Sequence, residues 1–208
     1  MQLTGVLSIG LLLTLSFLDS DIKGGITNIK LVKKTKAFLL AWLLTTFVFI
    51  LIQISYLLQQ PLASSFDLTV IRSYLTQTAI GKSYIVQIIG IILLLSVALR
   101  RVITTYLSLL IALIAIVAPV FQSHGSSSGR HGLAIGALVI HVIALSFWVG
   151  GLFGLTQLSK EQKLIALPRF SELALWSAIT VVITGAATAW TRLDSIEAWQ
   201  SKYGAITL

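Results

Sequence analysis

The fold of this chain is decided by residues Ser123–Gly154, SHGSSSGRHGLAIGALVIHVIALSFWVGGLFG. A short Gly/Ser loop carrying His124 and His131 leads into an apolar run that contains His141. The run has the roughly 20 residues that a helix needs to cross a bilayer core of ~30 Å. An ionisable ring at membrane depth is costly, so it indicates a functional site. We therefore expect His141 to be a metal or cofactor ligand inside a membrane bundle.

The composition extends this interpretation to the whole chain. The 208 residues are 56% hydrophobic and 11% charged, whereas a soluble domain carries about 25% charged residues. Runs of this length in lipid are helices, because helices satisfy their own backbone groups. The sequence thus predicts an all-α, polytopic transmembrane bundle with about six membrane-spanning helices, namely Leu3–Leu18, Ala37–Leu58, Ser83–Leu99, Val102–Phe121, Gly132–Leu155 and about Leu173–Trp190.

The net charge of +8 reflects membrane topology and does not predict a nucleic-acid partner. Basic residues concentrate in alternate connections, and the richer set is expected in the cytoplasm. That set is Lys23, Lys30, Lys33, Lys34, Lys36, Arg100, Arg101, Lys160, Lys163 and Arg169. The opposite side has half as many, Arg72, Lys82, Arg130, Arg192 and Lys202. The loop with His124 then faces outward, away from the cytoplasm.

Two further stretches bear on the organisation of the chain. The connection Gln59–Lys82 is too long for a tight turn, and two interpretations of it remain open: an ordinary loop, or an interfacial helix over Phe66–Thr78. In the helical case we expect four side chains to face lipid, those of Phe66, Ile71, Tyr74 and Leu75. The last residues resemble the entry to another helix. We therefore expect one domain over residues 1–208, incomplete, with further helices after residue 208.

His141 shares a predicted helix with Trp148 and with several glycines. Seven residues make about two turns, which puts His141 and Trp148 on one face about 10 Å apart. The glycines form a small-residue pair, Gly150 and Gly154, with Gly151 between them. Gly132 and Gly136 form a second such pair. This spacing lets helix backbones approach closely, so we expect these residues to shape the packing around the site. The alternative is that His141 only bonds a neighbouring helix.

The other two histidines, His124 and His131, are weaker candidates for metal ligands than His141. Neutral imidazole suits copper, zinc, iron and nickel, but the spacing of His124 and His131 matches no rigid metal motif. His124 follows a helix that ends near Phe121, so it could fold back over the mouth of the bundle. His131 lies about 15 Å before His141 along the helix. The alternative is two solvated loop histidines without a special role.

Polar residues within the apolar segments suggest two further possibilities. One polar stripe on the last predicted helix consists of Ser177, Thr180, Thr184, Thr188 and Thr191. This stripe could line a polar path together with Gln53 and Gln87. The interpretation that we favour is hydrogen bonding between helices, at about 0.6 kcal/mol per contact.

Several classes of function are excluded by residue type. The chain has no cysteine, so it has no disulfide or thiolate site. The predicted spans contain no carboxylate, which disfavours a proton relay through buried acids. The sequence also lacks a nucleophile–base constellation and a phosphate-binding loop. We therefore expect a protein that is not an enzyme.

Several motifs resemble one family. The pattern His141-x6-Trp148-x-Gly150-Gly151-Leu152 is similar to the H-x6-W-x-G-G-L signature of copper resistance D (CopD) membrane proteins. Weaker elements follow in the expected order over about residues 75–208: Thr78-x-x-Gly81-Lys82, Ser123-His124-Gly125, Pro168-Arg169-Phe170-Ser171, Thr184-Gly185 and Lys202-Tyr203-Gly204.

The resemblance implies a multi-pass protein of the bacterial inner (plasma) membrane that helps to move copper. It implies His124 and His141 as copper ligands, with less support for His131. It also implies partners besides membrane lipid, namely a periplasmic copper-binding protein or a cytochrome oxidase assembly domain. Copper(I) prefers thioether and thiolate ligands, and the chain offers only Met1. A site made of histidines alone therefore favours copper(II), or weak and transient binding.

Two alternatives of other classes stay open. A b-type haem protein would hold its haem between axial histidines on facing helices, and only His141 is predicted to lie deep. A non-catalytic assembly or scaffold subunit would need none of the three histidines.

Overall fold

The computed structural model describes residues 1–19, 29–97, 102–122 and 131–192, and within these residues it shows helices and no strands. This confirms the predicted all-α class. The helices are α1 (Gln2–Asp19), α2 (Ile29–Leu58), α3 (Leu68–Gln77), α4 (Ala79–Ser96), α5 (Val102–Val117), α6 (His131–Leu145), α7 (Gly151–Thr156) and α8 (Lys160–Arg192). Short 3₁₀ segments cover Leu62–Phe66 and Ala118–Gln122, and a π-helical turn, Ser146–Gly150, joins α6 to α7.

Each of the six predicted hydrophobic segments forms a helix over most of its described residues. Four helical stretches have the length and hydropathy that crossing a membrane requires, and they are Ile29–Leu58, Ala79–Ser96, Ile135–Thr156 and Lys160–Trp190. Two shorter apolar helical stretches, Gln2–Phe17 and Tyr106–Phe121, complete the set within the described residues. The chain is a multi-pass helical membrane protein.

The short first helix lies at the centre of the bundle. α1 packs against α2, α5, α7, α8 and the π-helical turn. Its apolar side chains are buried around the whole circumference, as Ile9, Leu11 and Leu12 illustrate, each with no exposed surface. A helix that is apolar all round is typical of a buried position. α1 thus joins the helices of both halves of the chain.

Two helices begin earlier than their apolar segments predict. α2 starts at Ile29 rather than Ala37, and α8 starts at Lys160 rather than near Leu173. Ser159 explains the second difference: its Oγ lies 3.4 Å from the backbone N of Gln162, and its own N donates to the Gln162 Oε1 atom at 3.2 Å. This reciprocal pair is a capping box. Hydropathy alone could not detect it.

The segment between α2 and α4 is helical, and its apolar side chains pack inward. α3 is capped by Asp67, whose Oδ1 accepts from the backbone N of Thr69 at 2.8 Å. Tyr74 is buried with Ile50 and Ile54 of α2, and Ile71 and Leu75 pack on the same cluster. Burial raises the pKa of the Tyr74 phenol.

The predicted lipid-facing orientation was therefore wrong for Ile71, Tyr74 and Leu75. These side chains cover the end of α2 and α4, because α3 is tied to α4 by a sharp turn. Phe66 is 58% exposed, and its orientation towards lipid stays a prediction.

That turn gives a physical reason for the pattern Thr78-x-x-Gly81. The Thr78 Oγ1 atom accepts from the backbone N of Gly81 at 2.9 Å and so caps α4. A Cβ atom at Gly81 would overlap the backbone carbonyl of Tyr74. Only glycine allows α3 and α4 to approach this closely.

Candidate metal site between α6 and α8

His141 lies on α6, and its side chain contacts α8. Its ring is partly buried, and its Nδ1 atom is 3.0 Å from the Oγ1 atom of Thr184 on α8. α6 and α8 pack side by side along their lengths. The predicted bond from His141 to a neighbouring helix is therefore present, and its partner belongs to the predicted stripe on α8.

The environment of Thr184 determines which atom donates in this bond. The Thr184 hydroxyl lies 2.6 Å from the backbone carbonyl of Thr180, and a threonine hydroxyl has a single proton. Because Thr184 donates this proton to the Thr180 carbonyl, its Oγ1 atom must accept from the Nδ1–H group of His141. A neutral imidazole protonated at Nδ1 carries its lone pair on Nε2, so the Nε2 atom of His141 is available to a ligand.

A glycine makes room for the ring. Gly185 follows Thr184, and a Cβ atom there would lie 3.6 Å from the Cε1 atom of His141 and 3.9 Å from its Nδ1 atom. The imidazole therefore lies directly over the backbone of α8. This arrangement accounts structurally for the Thr184-Gly185 pair that the sequence motif contains.

The hydroxyl groups of the stripe mostly bond their own helix. Thr180 donates to the carbonyl of Trp176 at 2.7 Å, and Thr188 donates to the carbonyl of Thr184 at 2.8 Å. Such bonds to the preceding turn are usual for threonine inside a helix. Thr184 does the same and also receives the bond from His141, so this hydroxyl takes part in a bond between α6 and α8.

Trp148 and Gly150 lie within a change in helical register, and Gly151 and Gly154 follow it. The π-helical turn Ser146–Gly150 has i→i+5 hydrogen bonds, so the segment between His141 and Trp148 is not a regular α-helix. Trp148 is 38% exposed. That His141 and Trp148 share one face stays a prediction.

The three glycines contact other parts of the bundle. Cβ atoms at Gly150 and Gly154 would overlap α1, at the Val6 carbonyl and at the Thr14 hydroxyl respectively. A Cβ atom at Gly151 would overlap the ring of Phe170 on α8. The predicted close packing at the Gly150–Gly154 pair is therefore present, with α1 as the neighbour.

The second predicted pair makes no close contact with the described residues. Among them, nothing lies within 4 Å of a Cβ atom at Gly132 or at Gly136. The spacing of small residues alone does not show whether another helix lies opposite them.

The two glutamines are on helices remote from this site. α4, which carries Gln87, packs on α2, α3 and α5, whereas His141 lies between α6 and α8. Gln87 is fully buried, and Gln53 on α2 is partly buried. The structure therefore does not place them with His141 along one path.

The remaining histidines are not described in full. His124 lies outside the described residues. His131 is the first residue of α6, and its side chain is outside the description. Within the described part of the chain, no group of three or more His, Asp or Glu residues could hold a metal ion.

Comparison with known proteins adds one finding. The family model described as "Copper resistance protein D-like, N-terminal domain" matches residues 1–133. This range contains His124 and His131 and ends before His141. No curated protein and no solved structure matches the chain.

Proposed function

Since the chain belongs to the copper resistance protein D-like family, we propose that it moves copper through its helical bundle by way of histidines. In this proposal copper is taken at the outer face near His124 and passed to the Nε2 atom of His141. The chain acts as a carrier and catalyses no reaction. Copper is the cargo, so the protein needs binding that is strong enough for capture and weak enough for release.

The observation that carries the proposal is the hydrogen bond from His141 to Thr184. Histidines that bind metals almost always donate their other N–H group to a nearby acceptor, which fixes the tautomer and orients the ring. The Oγ1 atom of Thr184 supplies that acceptor at 3.0 Å. The bond leaves the Nε2 lone pair for copper, and imidazole is a suitable ligand for it.

Residue types indicate which form of copper the site would hold. The whole sequence contains no cysteine and one methionine, so soft sulfur ligands are scarce. Imidazole and hydroxyl groups suit copper(II), and they would bind copper(I) weakly. We propose copper(II), or transient contact with copper(I), and not a permanent copper centre.

The proposed setting is the bacterial inner membrane. The excess of lysine and arginine in alternate connections supports an outward-facing His124 loop. Copper would then arrive from a periplasmic copper-binding protein, or leave to a cytochrome oxidase assembly domain.

The test is the copper content of the protein purified in detergent. Wild type, His141→Ala and His124→Ala are incubated with an excess of copper(II), separated from free metal, and measured by metal analysis. We expect His141→Ala to lose the bound copper while it stays folded, with a loss of stability no larger than the about 0.5–1.5 kcal/mol of one hydrogen bond. Thr180→Val serves as the control, because the Thr180 hydroxyl donates to its own helix.

Unchanged copper content in His141→Ala would contradict the proposal. The same samples separate the alternatives. A Soret band in the wild-type protein that His141→Ala lacks would indicate b-type haem. Absence of bound metal in all variants, together with a stably associated partner protein, would indicate a scaffold subunit.

A further inference from the structure

Gln87 is an unusual residue in the first half of the bundle. Its side chain has no exposed surface, and neither amide atom, Nε2 or Oε1, has a hydrogen-bond partner among the described residues. Burying an amide without a partner costs free energy, and such groups in native proteins are usually satisfied by protein or ordered water. Gln87 therefore needs a partner that the described side chains do not supply.

The position of Gln87 on α4 shows from where that partner could come. Ser83 lies one turn before it, and Gly90 lies three residues after it, so these three residues share one side of the helix. A Cβ atom at Gly90 would lie 2.9 Å from the Cβ atom of Ala115 on α5. The amide of Gln87 is thus on the side of α4 that faces α5.

A groove opens between these two helices at Ser83, one helical turn before Gln87. It has a volume of about 690 Å³, and its lining includes Gln77, Lys82, Ser83, Val117, Ala118 and Phe121. We call this space the α4–α5 groove. It lies at the end of the bundle where α4 begins and α5 ends, and polar groups of Gln77, Lys82 and Ser83 line it.

From Gln87 towards the end of α4, the described residues of α4 and α5 are in direct contact and leave no groove between them. Gly90 brings α4 against α5, and the next residues on the buried side, Ile91 and Leu94, are apolar and fully buried. The two buried polar positions Ser83 and Gln87 on this side of α4 are therefore followed by a dry layer.

We propose that the α4–α5 groove is an aqueous vestibule that admits water to the buried amide of Gln87. The ligand is water, because an amide group presents both donors and an acceptor and a buried water makes about three hydrogen bonds. Ser83 donates its proton to the carbonyl of Ile80 at 2.6 Å, so its Oγ atom can accept from a water. The vestibule belongs to α4 and α5, apart from the histidine site between α6 and α8.

The absence of cysteine in the sequence makes a direct test possible. Single variants Ser83→Cys, Gln87→Cys, Ile91→Cys and Ile89→Cys are reconstituted in liposomes. Each is treated with a positively charged, water-soluble methanethiosulfonate and, separately, with a hydrophobic maleimide. Ile91 is the control for the dry interior, since it has no exposed surface, and Ile89 is the control for the outer face of α4, since it is 52% exposed.

Thiols react as thiolates and are inert in apolar surroundings, so we expect the charged reagent to modify Ser83→Cys and Gln87→Cys about tenfold faster than either control. Modification of Gln87→Cys no faster than Ile91→Cys would overturn the proposal. So would reaction of Ser83→Cys with the hydrophobic maleimide alone, because that result would place a lipid chain in the groove.

A second measurement does not depend on cysteine chemistry. In Gln87→Leu the amide is replaced by an apolar side chain of similar size. If water satisfies the amide, this change loses hydrogen bonds and lowers the melting temperature. A rise in melting temperature would show that the amide is dry and unpaired, and it would overturn the proposal. Gln53→Leu, at a partly buried position on α2, is the matched control.

Discussion

Gly10 of α1 and Gly150 of the π-helical turn are in backbone contact. A Cβ atom on Gly10 would overlap the carbonyl group of Gly150, and a Cβ atom on Gly150 would lie 3.0 Å from the backbone N of Gly10. Small residues permit such close approach of helices in membranes. This contact allows α1 to sit in the centre of the bundle, beside the segment that connects α6 to α7.

The first prediction concerns this contact. Gly150→Ala should destabilise the protein by about 1–3 kcal/mol, because the added methyl group overlaps backbone atoms of α1 that cannot move independently. The measurement is thermal unfolding in detergent. Gly136→Ala is the control, since a Cβ atom there has nothing within 4 Å. Equal melting temperatures for the two variants would show that the contact is not close.

The second prediction concerns the bond between Thr184 and His141. Thr184→Val preserves the shape of the side chain and removes the oxygen that accepts from Nδ1–H. Loss of such an orienting partner should lower copper affinity by about 10–100-fold. The measurement is copper binding by titration of the purified protein.

Two variants control this experiment. Thr184→Ser keeps an acceptor oxygen and should restore most of the affinity. Thr180→Val removes a hydroxyl that bonds its own helix and should leave the affinity unchanged. If Thr184→Val binds copper as well as wild type, Thr184 does not set the tautomer of His141.

The third prediction concerns the start of α8. Ser159→Ala removes half of the capping box with Gln162 and should cost about 0.5–2 kcal/mol of stability. Thermal unfolding measures the effect. Ser171→Ala is the control, because the Ser171 hydroxyl donates to the Leu167 carbonyl in the helix interior. An equal effect of both changes would argue against the cap.

The fourth prediction concerns the end of α1. The Arg169 guanidinium donates a bond of 3.0 Å to the backbone carbonyl of Phe17, and cations near a helix C-terminus satisfy its last carbonyls. Arg169→Met should therefore destabilise the protein by about 0.5–1.5 kcal/mol, as for one partly exposed hydrogen bond. Thermal unfolding at low and high salt measures it.

Lys163→Met is the comparison for Arg169→Met, because it removes the same charge from the same helix. We expect a smaller loss of stability from Lys163→Met than from Arg169→Met. A loss of equal size would mean that charge in general, and not the bond to Phe17, matters at this end of α1.

Much of the candidate site was accessible from the sequence. His141 in an apolar run and Thr184 in a polar stripe are both visible by helical periodicity, and each was predicted to meet another helix. The sequence did not show that they meet each other. That pairing depends on how α6 and α8 are rotated about their axes, which periodicity does not report.

The errors arose where local geometry departs from a regular apolar helix. The sequence did not indicate the π-helical turn at Ser146–Gly150, which contains Trp148. Tyr74 of α3 is buried in the bundle and does not face lipid. The reason is that the cap at Thr78 and the close approach at Gly81 place α3 against α2. In the two glycine pairs the same spacing had different outcomes, since α1 lies against Gly150 and Gly154, and no described residue lies within 4 Å of a Cβ at Gly136.

By itself the sequence determined the helical class, the membrane setting and the residues that are costly in lipid. These follow from hydrophobicity and from backbone hydrogen bonding, which are properties of each segment alone. Only the tertiary structure decided that α1 is central, that Thr184 accepts from His141, and that the amide of Gln87 is buried with no partner among the described residues. Those facts depend on contacts between segments far apart in the chain, and a segment's own composition does not specify its neighbours.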